Sequence, residues 1–268
     1  MEKPSPSPFY YPTIFQGFGI VVLFILLSML TGLLMTLGYL TGNTFVVETT
    51  EMLGYLLAAG GTLIFVTRVK VKIYRETPAL VHQPVRPVNF PIVVVLTLLG
   101  MMAIDPLSAL IPMPEDVREL FDQMFSKSVP AFITAVIFAP ILEELIFRGI
   151  VLEGFLKNYL PVKAILWTNI LFGLSHLNPW QFIGAFLLGI LISWVYQKTR
   201  NLVLPVVMHM VNNLLSFLFL YVADVPFSEV SLADIMPSPS FYYTLVAASV
   251  LLLGFFFLFL ARRFPVQE

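Results

Sequence analysis

A chain of 268 residues that is 58% hydrophobic and only 12% charged is too apolar for a soluble domain, which runs at about 25% charged. With a mean hydropathy of +0.89 it reads as an integral membrane protein. A net charge of −1 leaves no basic face for nucleic acid, and the absence of cysteine excludes disulfides, thiolate metal sites and a cysteine nucleophile.

The chain opens on "MEKPSPSPFYYPTIF", polar and proline-rich, with no small-residue cleavage site after the first apolar run. That run is expected to be a retained helix rather than a removed signal. A spanning helix needs about 20 apolar residues. Eight segments qualify, at roughly 14–40, 50–67, 91–112, 129–158, 162–178, 180–197, 202–222 and 240–261. The charge run at 68–75 is expected to be a solvated inner loop. Between the third and fourth segments, residues 114–127 put Val117, Leu120, Phe121 and Met124 on one face, which predicts an interfacial helix. The last turns of the fourth segment, "VLEGFLKN", are amphipathic and are expected to leave the membrane. The fifth and sixth meet at "LNPW", where Pro179 suits a tight turn or a helix first turn. The final "LLLGFFFLFLARRF" reads as lipid-facing surface with a basic anchor.

Loop charge orients the array. With the N-terminus inside, 13 of the 15 Lys and Arg residues fall on the inner side, and only Arg118 and Lys127 fall outside. The outer loops carry acids such as Glu48, Glu51, Glu115, Asp116, Asp224, Glu229 and Asp234. The positive-inside rule thus predicts an all-α, polytopic membrane protein of about eight transmembrane helices with both termini cytoplasmic. Residues 1–268 read as one membrane domain, with a core at about 129–222 and no internal repeat. Short loops and a minimal N-terminus point to a prokaryotic cytoplasmic membrane.

Ionisable residues inside spans are expensive and usually functional. Here they are Asp105, Glu143, Glu144, Arg148, His176 and His209, while His82 falls in the basic loop. Asp105 precedes Pro106 and is expected to satisfy a cap or kink. Glu144 and Arg148 are four apart, acid first, and are placed to pair. Glu143 is rotated about 100° from Glu144. Its i+4 neighbour is Phe147, so it has no partner on its own helix. The acids should therefore differ, with Glu144 half of an ion pair and Glu143 suited to general base and acid work. Asn169, Phe172 and His176 share a face, with Asn169 as interhelical glue. His209 and Asn213 stand one turn apart, with Asn212 beside them. Glu143 and His176 each lie on the order of 20 Å from the inner ends of their segments, at 1.5 Å per residue, so one cluster is feasible.

These residues also form an ordered set of motifs: "EELIFR" fits EExxxR, "FGLSH" fits FxxxH and "HMVNN" fits HxxxN. The set, over about residues 139–215, resembles the CPBP (CAAX protease and bacteriocin-processing, or Abi) family, related to the type II CAAX prenyl endopeptidases. The first 130 residues match only in helix count. The resemblance implies an all-helical intramembrane glutamate protease. Glu143 would activate water with His176, His209 and Asn213 would hold the oxyanion, and Glu144, Arg148 and Phe172 would support the site. The implied partners are the lipid bilayer and a peptide or protein substrate, lipid-modified in the CAAX case. No HExxH spacing is present, so no metal and no cofactor are expected. Two other readings stay open: a non-proteolytic membrane partner such as a bacteriocin-immunity or scaffold protein, and a proton-coupled carrier.

Overall fold

The computed structural model describes residues 9–76, 83–108, 110–117, 119, 128–222 and 232–263, and every regular element among them is helical. In chain order the main helices are α1 (Ile14–Leu40), α2 (Thr44–Lys72), α3 (Asn89–Ser108), α4 (Val129–Asn158), α5 (Pro161–Leu174), α6 (Pro179–Thr199), α7 (Val203–Val222), the single turn α8 (Leu232–Ile235) and α9 (Pro239–Arg263). Of the expected interfacial helix, residues 115–117 are helical. Positions 118 and 120–127 lie outside the described residues, as do Lys3, His82, Asp224 and Glu229.

The helix starts follow local chemistry. Thr13 and Gln16 form a capping box at α1, and Asn43 caps α2 by accepting from the N–H groups of Phe45 and Val46. Ser128 caps α4. Pro179 sits in the first turn of α6, where its missing N–H is harmless, behind the Asn178 cap.

Among the described residues six helices are long and apolar enough to cross a membrane: α1, α2, α3, α4, α6 and α9. The fifth and seventh expected spans hold shorter apolar helical stretches, Pro161–Leu174 of α5 and Val203–Phe219 of α7, and α5 has 14 residues. At 1.5 Å per residue α5 reaches about 21 Å, short of a hydrocarbon core of about 30 Å. It stops because Ser175 caps it and Leu177 turns left-handed, with φ 58°, into α6. The second helix departs from expectation at its other end. It continues to Lys72, so the charge run at 68–75 is largely helical, and Lys70 is fully buried. That end is covered by the residues before α1 and by the end of α4. Glu76 joins these two, accepting from the Tyr11 N–H at 2.8 Å and from Lys157 Nζ at 3.2 Å. The "VLEGFLKN" turns are likewise packed in protein: Val151, Leu152 and Phe155 are buried.

Helix α4 is the hub. α1 and α2 form a hairpin, and α2 packs on α4. The middle and end of α4 meet α5 and α6, while its first half meets α7. α3 packs against α6, α7 and α9. One apolar cluster, with Ile146, Phe147, Leu152, Phe155, Leu171 and Phe172, surrounds α4. A second, with Val93, Leu96, Ile192 and Met208, fills the space between α3, α6 and α7.

Candidate active site

The acids sit on a short α-helical stretch, Ala139–Ile146, between two π-helical turns, Ile133–Phe138 and Phe147–Leu152. Wide turns of this kind recur at functional sites. Pro140 stands just after the first of them and brings no N–H to the ladder.

Glu144 and Arg148 pair as the i,i+4 spacing predicts, Oε1 to Nη1 at 2.9 Å, with both side chains 0% exposed. Arg148 reaches further than the sequence implies. Its Nη2 donates to Asn169 Oδ1 on α5 at 3.1 Å and to the Gly189 carbonyl on α6 at 3.2 Å. Asn169 in turn donates to Ser193 Oγ at 2.9 Å, which makes it the interhelical link expected of it. The guanidinium lies 4.8 Å from the centre of the Phe172 ring. Gly189 permits this convergence, because a Cβ there would run into Asn169 Oδ1 and Arg148 Nη2.

Glu143 lacks a partner on its own helix, as expected, but finds them elsewhere. Tyr55 on α2 donates its hydroxyl to Glu143 Oε1 at 2.8 Å. His209 Nε2 on α7 faces Glu143 Oε2 at 3.8 Å. Both side chains are largely enclosed, at 15% exposure for Glu143 and 9% for His209. The other ring nitrogen of His209 meets Glu144 Oε1 at 2.9 Å. His209 therefore touches both acids.

His176 lies two residues beyond the end of α5 rather than within a helix. Its Nδ1 is 3.0 Å from the Phe172 carbonyl. A carbonyl only accepts, so Nδ1 carries the proton and Nε2 of the neutral ring keeps its lone pair. Phe172 organises both histidines, edge-on to His176 at 5.1 Å and to His209 at 5.8 Å between ring centroids. Asn213 donates to the carbonyl of Ala135, inside the first π-helical turn, at 2.8 Å, and accepts from Asn212 at 3.0 Å. Asp105 is remote from this cluster and does more than satisfy a kink: it takes the Tyr242 hydroxyl at 2.7 Å, tying α3 to α9. Among the described residues no group of three or more His, Asp or Glu side chains is arranged to hold a metal ion.

Tyr55, Ser193 and Gly189 were not legible as site residues. The only signal for Tyr55 was a hydroxyl in mid-span among aliphatic neighbours.

Fold and cluster together define a polytopic, all-helical membrane protein with paired acids, a buried arginine and two histidines gathered at its central helix. Residues 125–215 match the family model for the type II CAAX prenyl endopeptidase Rce1-like proteins, so that segment is similar to this family. It is 28% identical over 193 residues to an Escherichia coli protein described as an uncharacterized 24.3 kDa protein, covering 66% of this chain and 89% of that one. It is 32% identical over 98 residues to the membrane-embedded CAAX protease MroQ of Staphylococcus aureus (strain USA300), covering 34% of this chain and 39% of that one. No solved structure gives a significant match. The proteins that this family model describes are endopeptidases, which are hydrolases.

Proposed function

We propose that the protein is an intramembrane endopeptidase of the glutamate type, cleaving a peptide bond of a membrane-associated substrate. Prenylated CAAX-type peptides are the first substrate class to test. The observation that carries this reading is Glu143, an enclosed acid with no ion-pair partner on its own helix, one oxygen on Tyr55 and the other toward His209.

Peptide hydrolysis needs a base for water, a proton donor for the leaving amine and N–H groups for the tetrahedral oxyanion. Glu143 takes the proton from water as the water attacks, then returns it to the amine. His176, with its Nδ1 proton on the Phe172 carbonyl, offers Nε2 to orient that water. His209 and Asn213, one turn apart on α7, supply the oxyanion donors. For His209 this requires a proton on Nε2. Its other ring nitrogen, Nδ1, lies against Glu144 Oε1, which fixes the plane of the ring. Glu144, Arg148 and Phe172 hold His209 and α4 in register. The bilayer of a prokaryotic cell is the proposed setting, and water and substrate are proposed to enter from the cytoplasmic side or between helices.

The test is cleavage of prenylated and unmodified peptides by the purified protein in lipid vesicles. Glu143→Gln and His176→Ala should each abolish cleavage while the protein stays monodisperse. Truncating His209 or Asn213 should lower the rate by about 10²–10³. Full activity in Glu143→Gln would overturn the mechanism and favour a non-proteolytic role.

A further inference from the structure

We infer that Tyr55 is a positioning residue for Glu143, delivered by a helix outside the segment that matches the Rce1-like family. The inference rests on the protease reading of the site and adds a residue to it. Tyr55 stands on α2, 88 positions before Glu143, and its hydroxyl meets Glu143 Oε1 at 2.8 Å. A carboxylate can only accept, so the phenol donates.

The ring is not placed by chance contact with one neighbour. Phe24 on α1 packs edge-on against it, with 6.4 Å between centroids and 85° between planes. Gly54, the preceding residue, is buried where α2 crosses Thr31 of α1, and a Cβ there would already lie 3.4 Å from the Thr31 carbonyl oxygen. The α1–α2 hairpin thus clamps the ring and presents its oxygen to α4.

The consequence for Glu143 is asymmetry. Oε1 is pinned by the phenol, so Oε2 is the oxygen turned toward His209. A base whose working oxygen is held in one direction loses less activity to misorientation than a freely rotating carboxylate. Of the other titratable or charged groups, His209 from α7 faces Glu143, Glu144 and Arg148 stand on its own helix, and His176 packs on Phe172, which also meets His209. Without the phenol, His209 becomes the main polar partner of Glu143, and the carboxylate should turn toward it.

Tyr55→Phe removes the donor and keeps the ring that Phe24 packs against, whereas Tyr55→Leu removes both. In vesicles, Tyr55→Phe should lower kcat on the order of tenfold with KM changed little. Tyr55→Leu should share these effects and lose thermal stability as well. A ring serving only as packing predicts a wild-type kcat for Tyr55→Phe, and that result overturns the inference. A second readout needs no substrate. The infrared carboxylate band of Glu143, isolated by subtracting the Glu143→Gln spectrum, should shift in Tyr55→Phe, and an unmoved band overturns the inference as well. If the wild-type protein cleaves nothing but the band shifts, the protease reading fails while the Tyr55–Glu143 bond stands.

Discussion

His209 Nδ1 on α7 and Glu144 Oε1 on α4 lie 2.9 Å apart, and the same oxygen takes Arg148 Nη1 at 2.9 Å. Glu144 Oε2 and Arg148 Nε have no hydrogen-bond partner among the described residues. One oxygen therefore carries the whole link between the arginine hub and the histidine of the proposed oxyanion site. Removing either charge strands the other in a dry interior, which typically costs about 3–5 kcal/mol. Arg148→Met and Glu144→Gln should each be strongly destabilised in detergent unfolding. The double variant should lose much less than the sum of the two. Strict additivity would mean that the pair is not coupled.

Gly189→Ala should weaken the same hub from the side of α6. The new methyl group meets Asn169 Oδ1 and Arg148 Nη2, and the affected groups are fully buried. A loss of about 1–3 kcal/mol is expected from overpacking. A melting temperature equal to that of the wild type would show that α6 can move away.

Asn169 bonds to three helices and Ser193 to one of its N–H groups, so their truncations should differ in size. Asn169→Ala removes the bond from Arg148 and those to Ser193 and the Ile165 carbonyl. Ser193→Ala removes one interhelical bond, worth about 0.6 kcal/mol in a membrane protein. Equilibrium unfolding of the two variants should rank Asn169→Ala as the more damaging by a clear margin.

Asn158 straps the residues before α1 to the end of α4. Its amide donates to the carbonyls of Tyr10 and Gly154 at 2.7 and 2.9 Å and accepts from the Tyr10 N–H at 2.9 Å. Asn158→Ala should release residues 9–13, seen as faster hydrogen exchange there with little change in α5–α7. Unchanged exchange would mean that Gly154, which lies flush against the Tyr11 and Pro12 backbone, is enough to hold the strap.

What the sequence disclosed and what it concealed divide along a physical line. The bounds of α4 were readable at both ends, as was the Glu144–Arg148 pair, because each rests on neighbours within a turn. Tyr55 was hidden because its partner lies 88 residues away and no local period links them. The bridge from His209 to Glu144 depends on how α7 is rotated against α4, which neither helix encodes alone. Lys70 was misread because a basic run at a helix end normally faces water, whereas here a strap of chain covers it. His176 was placed in a helix because apolar periodicity runs past Leu174, while the Asn178–Pro179 restart and the left-handed Leu177 decide otherwise.

The two π-helical turns of α4 bear on how this protein tolerates length changes. A π-helical turn is equivalent to one extra residue lodged in an α-helix. Deleting a single residue from Ile133–Phe138 should let that stretch relax to ordinary α-helix with Ala139–Ile146 keeping its bearing. Tightening without the deletion would instead swing Ala139–Ile146 by about 100° about the helix axis. Glu143 would leave Tyr55, and Glu144 would leave His209, although no site residue had been altered. The bearing of the two acids is thus set by residue count and turn width together as well as by residue identity, and a shortened relative can be sorted by whether its wide turn has gone with the residue.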